Sequence, residues 1–286
     1  MRQQWLPPGM DLQVIVVDDG SPDCTFKQLQ SLHLYGVDLI SLPTNQGRSA
    51  ARNAGARKAR GDAIVFMDCD CLPIEADFLS AHYVAYRDAS VVAATGNVTG
   101  FDDGFWSRYQ TKASGRRRNQ HDRGNVFSGS SQNLSVRKDV FERIGGFDPG
   151  YSEYGFEDRD LLLRLAELGT VVWLEDATVQ HRDVLDMRTI SKKMRLAAGS
   201  SALRFSRLYP AAYRMLGYAM LDARIHPAWR VLARPIGWLL PSLAAGFESC
   251  ISARALPIAV AAGVAKFLTG LSFMTGSADP MKNAHQ

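Results

Sequence analysis

Asp68 and Asp70 stand one residue apart at the end of an apolar run in the segment AIVFMDCDC, residues 63–71. The run is short, lacks a helical period and follows the turn signal Gly61-Asp62, which predicts a buried interior strand of a parallel sheet. Extended backbone continuing to residue 70 would point both carboxylates into one pocket and Cys69 away from it. Paired carboxylates at a strand end suit a hard divalent cation, Mg2+ or Mn2+, which takes oxygen ligands and keeps positions open for substrate phosphates. An acidic turn without a ligand is the plain structural alternative, and so brief a motif needs support from elsewhere in the chain.

Other chemistry-bearing residues recur along the chain. A second apolar run, residues 12–17, also ends in acid, Asp18-Asp19, followed by Gly20-Ser21-Pro22-Asp23. In an open α/β sheet, ligands bind outside the carboxyl ends of the strands, where Asp19 and Asp68 would both lie. Glu157, Asp158 and Asp160 fall in the first turn of a helix marked by Leu161, Leu162, Leu165 and Leu168. The helix dipole accounts for one or two acids there, and a carboxylate at that place can act as a general base on a docked hydroxyl. His181 ends an extended segment beyond this cluster and is a candidate third metal ligand, since neutral imidazole can join carboxylates. Arg48 and Arg52 lie near the first turn of a helix over residues 46–60, where side chains and free N–H groups can meet a nucleotide. Arg57, Lys58 and Arg60 read as a solvated face.

The elements that must position these groups alternate. Strands are predicted over 12–17, 37–42, 63–67 and 90–95, and helices over 26–34, 46–60, 75–86 and 138–144. The segment 129–136 reads as a polar turn entering a strand or helix, and 170–174 and 177–180 as short extended pieces. The fold class is α/β, a mostly parallel mixed sheet flanked by helices. Residues 101–127 read as a long polar connection, in which Arg116-Arg117-Arg118 either clamps a phosphorylated substrate or is simply solvated.

The net charge of +4 conceals an asymmetry: from Arg182 onward there are 14 Lys and Arg against 5 Asp and Glu, and before it 19 against 24. An acidic catalytic part, residues 1–205, and a basic, apolar helical part, residues 206–286, are expected. No 18-residue stretch of the tail is free of charge, so interfacial helices on a membrane surface are preferred to a spanning one, with a packed helical subdomain as the alternative. The basic residues lack an interleaved stacking platform, which argues against nucleic acid. Four scattered cysteines, Cys24, Cys69, Cys71 and Cys250, make neither a disulfide framework nor a zinc site, and suggest a reducing, cytoplasmic compartment, where the basic tail would place the chain on the inner face of the membrane.

Five ordered segments resemble the family 2 glycosyltransferases of the GT-A fold: VVDDGSPD (16–23), NQGRSAARNAG (45–55), the DCD triplet, SSQNLSVRKDVFERIGGFD (130–148) and GFEDRDLLLRL (155–165). The resemblance implies metal-dependent transfer of a sugar, with inversion, from a nucleotide-sugar, commonly a UDP-sugar, to an acceptor hydroxyl. It implies that Asp19 contacts the base, Asp68 the ribose and Asp70 the metal bridging the diphosphate. Asp158 would deprotonate the acceptor, with Glu157 the alternative base. Ser131, Gln132 and Asn133 match the acceptor side, and His181 a metal-ligand position of some members. A saccharide or a lipid-linked acceptor, in cell-surface polysaccharide or glycolipid synthesis, would suit the basic tail. Family members begin with a further strand and helix ahead of VVDDGS, so the first strand and helix of the fold are expected to be missing here. Two other functions stay open, a non-catalytic transferase-like protein binding anionic partners and a sugar-phosphate nucleotidyltransferase.

Overall fold

The computed structural model describes residues 3–278; residues 1–2 and 279–286, which the two expected parts include, lie outside the described residues. Two compact units result, one of residues 3–103, 110–152 and 157–182 and one of residues 104–109, 153–156 and 183–278. The boundary expected near residue 205 falls inside a helix, α8 (Ser201–Leu208). The preceding helix, α7 (Met187–Gly199), belongs with the C-terminal helices because its Met187 and Ile190 bury in their apolar core.

In the first unit, β1 (Val14–Asp18) and β2 (Val37–Ser41) pair in parallel around α1 (Thr25–Ser31), the βαβ unit that the sequence predicts. The other strands are β3 (Ala63–Phe66), β4 (Cys71–Pro73), β5 (Val91–Gly100), β6 (Leu134–Arg137) and β7 (Thr170–His181), in the sheet order β3-β6-β5-β7-β4. This sheet is mixed: β5 and β7 are parallel, whereas β3–β6, β5–β6 and β4–β7 are antiparallel. Instead of an interior parallel strand, residues 63–66 thus form an antiparallel partner of β6. Among the described residues β1 pairs only with β2 and β3 only with β6, so each keeps one edge without a partner strand. β7 is one strand rather than two pieces, with an irregularity where Gly96-Asn97 face Leu174 and Thr178.

Helices α2 (Arg48–Lys58), α3 (Phe78–Ala85), α5 (Lys138–Arg143) and α6 (Glu157–Ala166) flank the strands. Leu161, Leu162 and Leu165 are fully buried, the apolar stripe that the leucine spacing predicts for α6. Phe66, Phe141 and Phe147 interlock with ring centroids 5.2 to 5.8 Å apart, closing the end of β3.

The expected polar connection over 101–127 is instead largely helical, α4 (Phe105–Asp122). Its single glycine and lack of proline leave helix formation unopposed. Its polar residues hold it to the sheet, since Ser114 Oγ and Thr111 Oγ1 accept the N–H groups of Val98 and Gly100 at 3.0 and 3.2 Å. Arg118 pairs with Glu175 rather than standing free for a phosphate.

The second unit is helical, with α7 and α8 followed by α9 (Pro210–Met215), α10 (Ala228–Ser252) and α11 (Ile258–Ala278). Its core joins Met187, Leu240, Ala244, Phe247, Ala261, Ala265 and Leu268. α11 is long and apolar enough to cross a bilayer by length and composition, yet residues 272–277 are buried inside the protein. Gly276 explains the tightness: a Cβ there would lie 2.4 Å from the Arg195 carbonyl oxygen, so the helices cross backbone to backbone.

Candidate active site

The site grows from the turn after β3. The strand stops at Phe66, and residues 69–70 form a turn closed by the Cys71 N–H donating to the Asp68 carbonyl at 3.0 Å. The expected extended backbone through residue 70 therefore does not persist, and the two carboxylates part company. Asp68 turns towards α2 and Asp70 towards β7.

On the α2 side, the Arg52 guanidinium lies 2.9 Å from Asp68, 3.5 Å from Glu157 and 3.8 Å from Asp158, and Arg48 lies 3.9 Å from Glu157. Arg52 also stacks over the Phe147 ring at 5.3 Å. Its helix is fixed from two directions. The Asn53 side-chain amide exchanges both of its hydrogen bonds with the Phe147 backbone at 2.8 and 2.9 Å. Gly146 (φ 73°) permits this, since a Cβ there would come 2.5 Å from Asn53 Oδ1. At the other end the Asp19 carboxylate accepts the N–H groups of Gln46 and Gly47, both at 2.9 Å, and so anchors the entry to α2. Asp19, expected at a nucleotide base, here has each oxygen engaged in holding a loop.

Electrostatics follow from this packing. Burial works against the charge on Arg52, but Asp158, Asp68 and Glu157 outweigh it and hold its pKa above the ordinary value. Glu157 is pushed up, first by burial and then by the charge of Asp158. One oxygen of Glu157 and one of Asp158 are buried without a hydrogen-bond partner, while Ser130 Oγ donates to the other Asp158 oxygen at 3.4 Å. Asp160 instead pairs with Arg164 at 2.6 Å, a structural contact within α6. The residue before Glu157, Phe156, has φ 72°, a conformation that side-chain-bearing residues rarely adopt.

On the β7 side, Cys71 stands opposite His181 in the antiparallel β4–β7 pair, and the Arg182 N–H donates to the Asp70 carbonyl at 2.8 Å. The register brings His181 Nε2 to 3.3 Å from Asp70 Oδ2. Asp70, Cys71 and His181 each offer a ligand atom within 4.8 Å of the others. The hydrogen bond from His181 depresses the Asp70 pKa against the effect of burial. Burial, then Asp70 and Asp68, push the Cys71 thiol well above its ordinary range. Its Sγ lies 3.7 Å from Asp70 Oδ1, to which the neutral thiol donates. His181 Nδ1 is buried and unpartnered. A carboxylate and a buried imidazole beside an open turn fit a divalent cation completed by oxygens from a bound ligand.

The expected acceptor residues divide. Ser131 is buried and Gln132 half-buried beside Ser130. Asn133 lies wholly inside the sheet, donating to the Asn97 and Ala177 carbonyls at 2.9 Å and accepting from His82 Nε2 at 2.9 Å. His82 Nδ1 meets Ser135 Oγ at 2.8 Å, which accepts from Tyr86 OH at 2.8 Å. Asn133 is fully buried, and its N–H donates to the Ser130 carbonyl at 3.0 Å, which pins the turn that carries Ser130. Burial lowers the His82 pKa to about 4, so the ring is neutral in this chain of hydrogen bonds. Nothing in the local sequence around His82 signals this network, because its partners are 51 and 53 residues away.

The chain matches the family described as Glycosyl transferase family 2 over residues 1–145, and that described as N-terminal domain of galactosyltransferase over residues 121–182. It is 23% identical over 218 residues to the uncharacterized glycosyltransferase YfnE of Bacillus subtilis, covering 56% of this chain and 54% of that protein. It is 26% identical over 200 residues to pre-mycofactocin glycosyltransferase of Mycobacterium tuberculosis, covering 67% of this chain and 42% of that protein. The chain thus spans about half the length, or less, of these curated relatives. The mannosyltransferase PcManGT from Pyrobaculum calidifontis shares its fold, with a TM-score of 0.58 at 20% identity over 97% of this chain and 79% of that one. With a mixed sheet of GT-A type and a family match over just more than half its length, this chain belongs to glycosyl transferase family 2.

Proposed function

We propose that the chain is a metal-dependent inverting glycosyltransferase, moving a sugar from a nucleotide diphosphate donor, a UDP-sugar, to an acceptor hydroxyl. The observation that carries this reading is the division of labour at one turn: Asp70 joins His181, while Asp68 joins Arg52 and, through it, Asp158. Asp70 and His181 would hold the cation, Mn2+ being better suited than Mg2+ to an imidazole ligand. The cation would supply positive charge for the departing diphosphate. Asp68, Arg48 and Arg52 face the nucleotide side, and Asp19 secures the loop before them.

Asp158 is the general base. Its side chain is 19% exposed against 5% for Glu157, so a hydroxyl can reach it, and Ser130 orients it. Asp158 takes the acceptor proton as the acceptor oxygen bonds to the anomeric carbon. The bond from that carbon to the diphosphate oxygen breaks in the same displacement, so no covalent nucleophile is needed. Glu157 is the alternative base. We read the acceptor as a saccharide or lipid-linked sugar met at the inner membrane face, supported by the basic C-terminal third and the exposed apolar residues of α10.

The test is nucleotide release from a panel of UDP- and GDP-sugars with Mn2+, with and without candidate acceptors. Mn2+-dependent release that Asp158→Asn reduces by about 100-fold or more supports the reading. Release unchanged by Asp158→Asn would remove the assigned base.

A further inference from the structure

The second unit carries a groove built from none of the residues assigned to sugar transfer. It lies between α7 and α10, has a volume of about 760 Å³, and is lined by Arg188, Ser191, Lys192, Arg195, Leu240 and Ala244 among others. Arg188, Lys192 and Arg195 follow one another at i, i+4 and i+7, so one face of α7 presents three cations to it. An adjoining cavity of about 580 Å³ shares Arg195 and adds Arg234 and Trp238. Among the described residues none of these four cations has a carboxylate within 4 Å; Asp186, which caps α7 through Thr189, feels the charge of Arg188. The Oγ of Ser191, a residue 9% exposed in the groove wall, is buried with no hydrogen-bond partner. Three cations converging on one groove are what a bound anion would satisfy.

The rim of the groove is apolar. Trp238 is 91% exposed and Val231 76%, and Leu232, Leu239 and Leu243 are exposed on the same helix. On a helical wheel these residues run on from the cationic side of α10 without an intervening charge. Free phosphate or nucleic acid would meet the cations but leave this row in water, whereas an anionic lipid pairs with both. Trp beside a cation cluster is the composition of a headgroup boundary.

We propose that the α7–α10 groove seats the phosphate of an anionic membrane phospholipid, with Trp238 and the neighbouring apolar residues of α10 lying in the lipid interface. The proposal rests on the reading, given above, that the acceptor is met at a membrane surface, and it names the part of the chain that makes the contact. Sedimentation of the full chain with phosphatidylcholine vesicles, with and without phosphatidylglycerol, tests it. The wild type is expected to bind the anionic vesicles at least tenfold more tightly, with the advantage falling as salt rises. Arg188→Glu with Lys192→Glu, both at exposed positions, is expected to remove that advantage, and Trp238→Ser to weaken binding severalfold. Circular dichroism and Mn2+-dependent UDP binding are expected to be unchanged in these variants, so a folding failure or a failure of the transferase reading is told apart from failure here. Equal binding to neutral and anionic vesicles, or vesicle binding unaltered in the double variant, would overturn the proposal. So would displacement by millimolar inorganic phosphate, which would make the ligand a free anion, or tighter binding of an RNA oligonucleotide at the same groove.

Discussion

Arg52 donates to Asp68 at 2.9 Å while its other terminal nitrogen lies 3.8 Å from Asp158, so one guanidinium joins the turn after β3 to the first turn of α6. Two carboxylates 90 residues apart in sequence thereby share one cation, with Glu157 as a third. The planar guanidinium, with its several N–H donors held in a fixed fork, suits three acceptors arranged in this way.

Removing that cation leaves three clustered carboxylates with only Arg48, 3.9 Å from Glu157, to offset them. Arg52→Ala is expected to lose about 3 kcal/mol of stability, the low end for breaking a buried pair because Asp68 is partly exposed. Chemical denaturation measures the loss, and adding Glu157→Gln to Arg52→Ala is expected to recover part of it. A single variant as stable as wild type would show that the clamp contributes nothing.

Glu157 gives the site a pH signature. Burial and Asp158 raise its folded-state pKa above the ordinary 4.5, so the folded protein holds this proton where the unfolded chain has released it. Its contribution to stability therefore falls as pH rises above about 4.5 through the raised folded value. Thermal melts between pH 4 and pH 8 are expected to show a shallower decline in Glu157→Gln than in wild type. Parallel profiles would contradict the assignment.

His82 acts in the opposite sense. Its pKa is lowered to about 4 from 6.5, so the stability it contributes is complete above pH 6.5 and is lost as pH falls towards 4. His82→Gln is expected to flatten that acid limb. It should cost about 1–3 kcal/mol at neutral pH, since Asn133 or Ser135 loses its buried partner. An acid limb as steep in the variant as in wild type would rule His82 out as its source.

Gly96 tests the same network sterically. A Cβ there would lie 2.2 Å from the Ala177 carbonyl oxygen and 2.6 Å from Asn133 Nδ2. Gly96→Ala is expected to destabilise the protein by about 1–3 kcal/mol through forced strand displacement. An unchanged melting temperature would contradict the close approach.

Much of this was legible in the chain because it is local. The apolar run at β3, the leucine spacing of α6 and the strand–helix alternation around α1 and α2 each carry their own period. What was not legible depends on pairings between distant segments. The direction of Asp70 is set by β4 meeting β7, which puts Cys71 opposite His181, and no spacing within residues 63–71 contains that register. The buried place of Asn133, expected on the acceptor side, was not legible because its partners, His82, Asn97 and Ala177, come from three other elements. α4 was hidden by its polarity, since its hydroxyls hydrogen-bond to β5 and leave it without a plain apolar stripe.

The central claim is that Asp70 serves the cation and Asp158 the chemistry. Calorimetric titration of UDP with and without Mn2+, on wild type, Asp70→Ala and Asp158→Asn, tests it most directly. The account predicts Mn2+-dependent UDP binding in wild type, its loss in Asp70→Ala, and its survival in Asp158→Asn. Binding that ignores Mn2+, or that persists in Asp70→Ala and fails in Asp158→Asn, would contradict it.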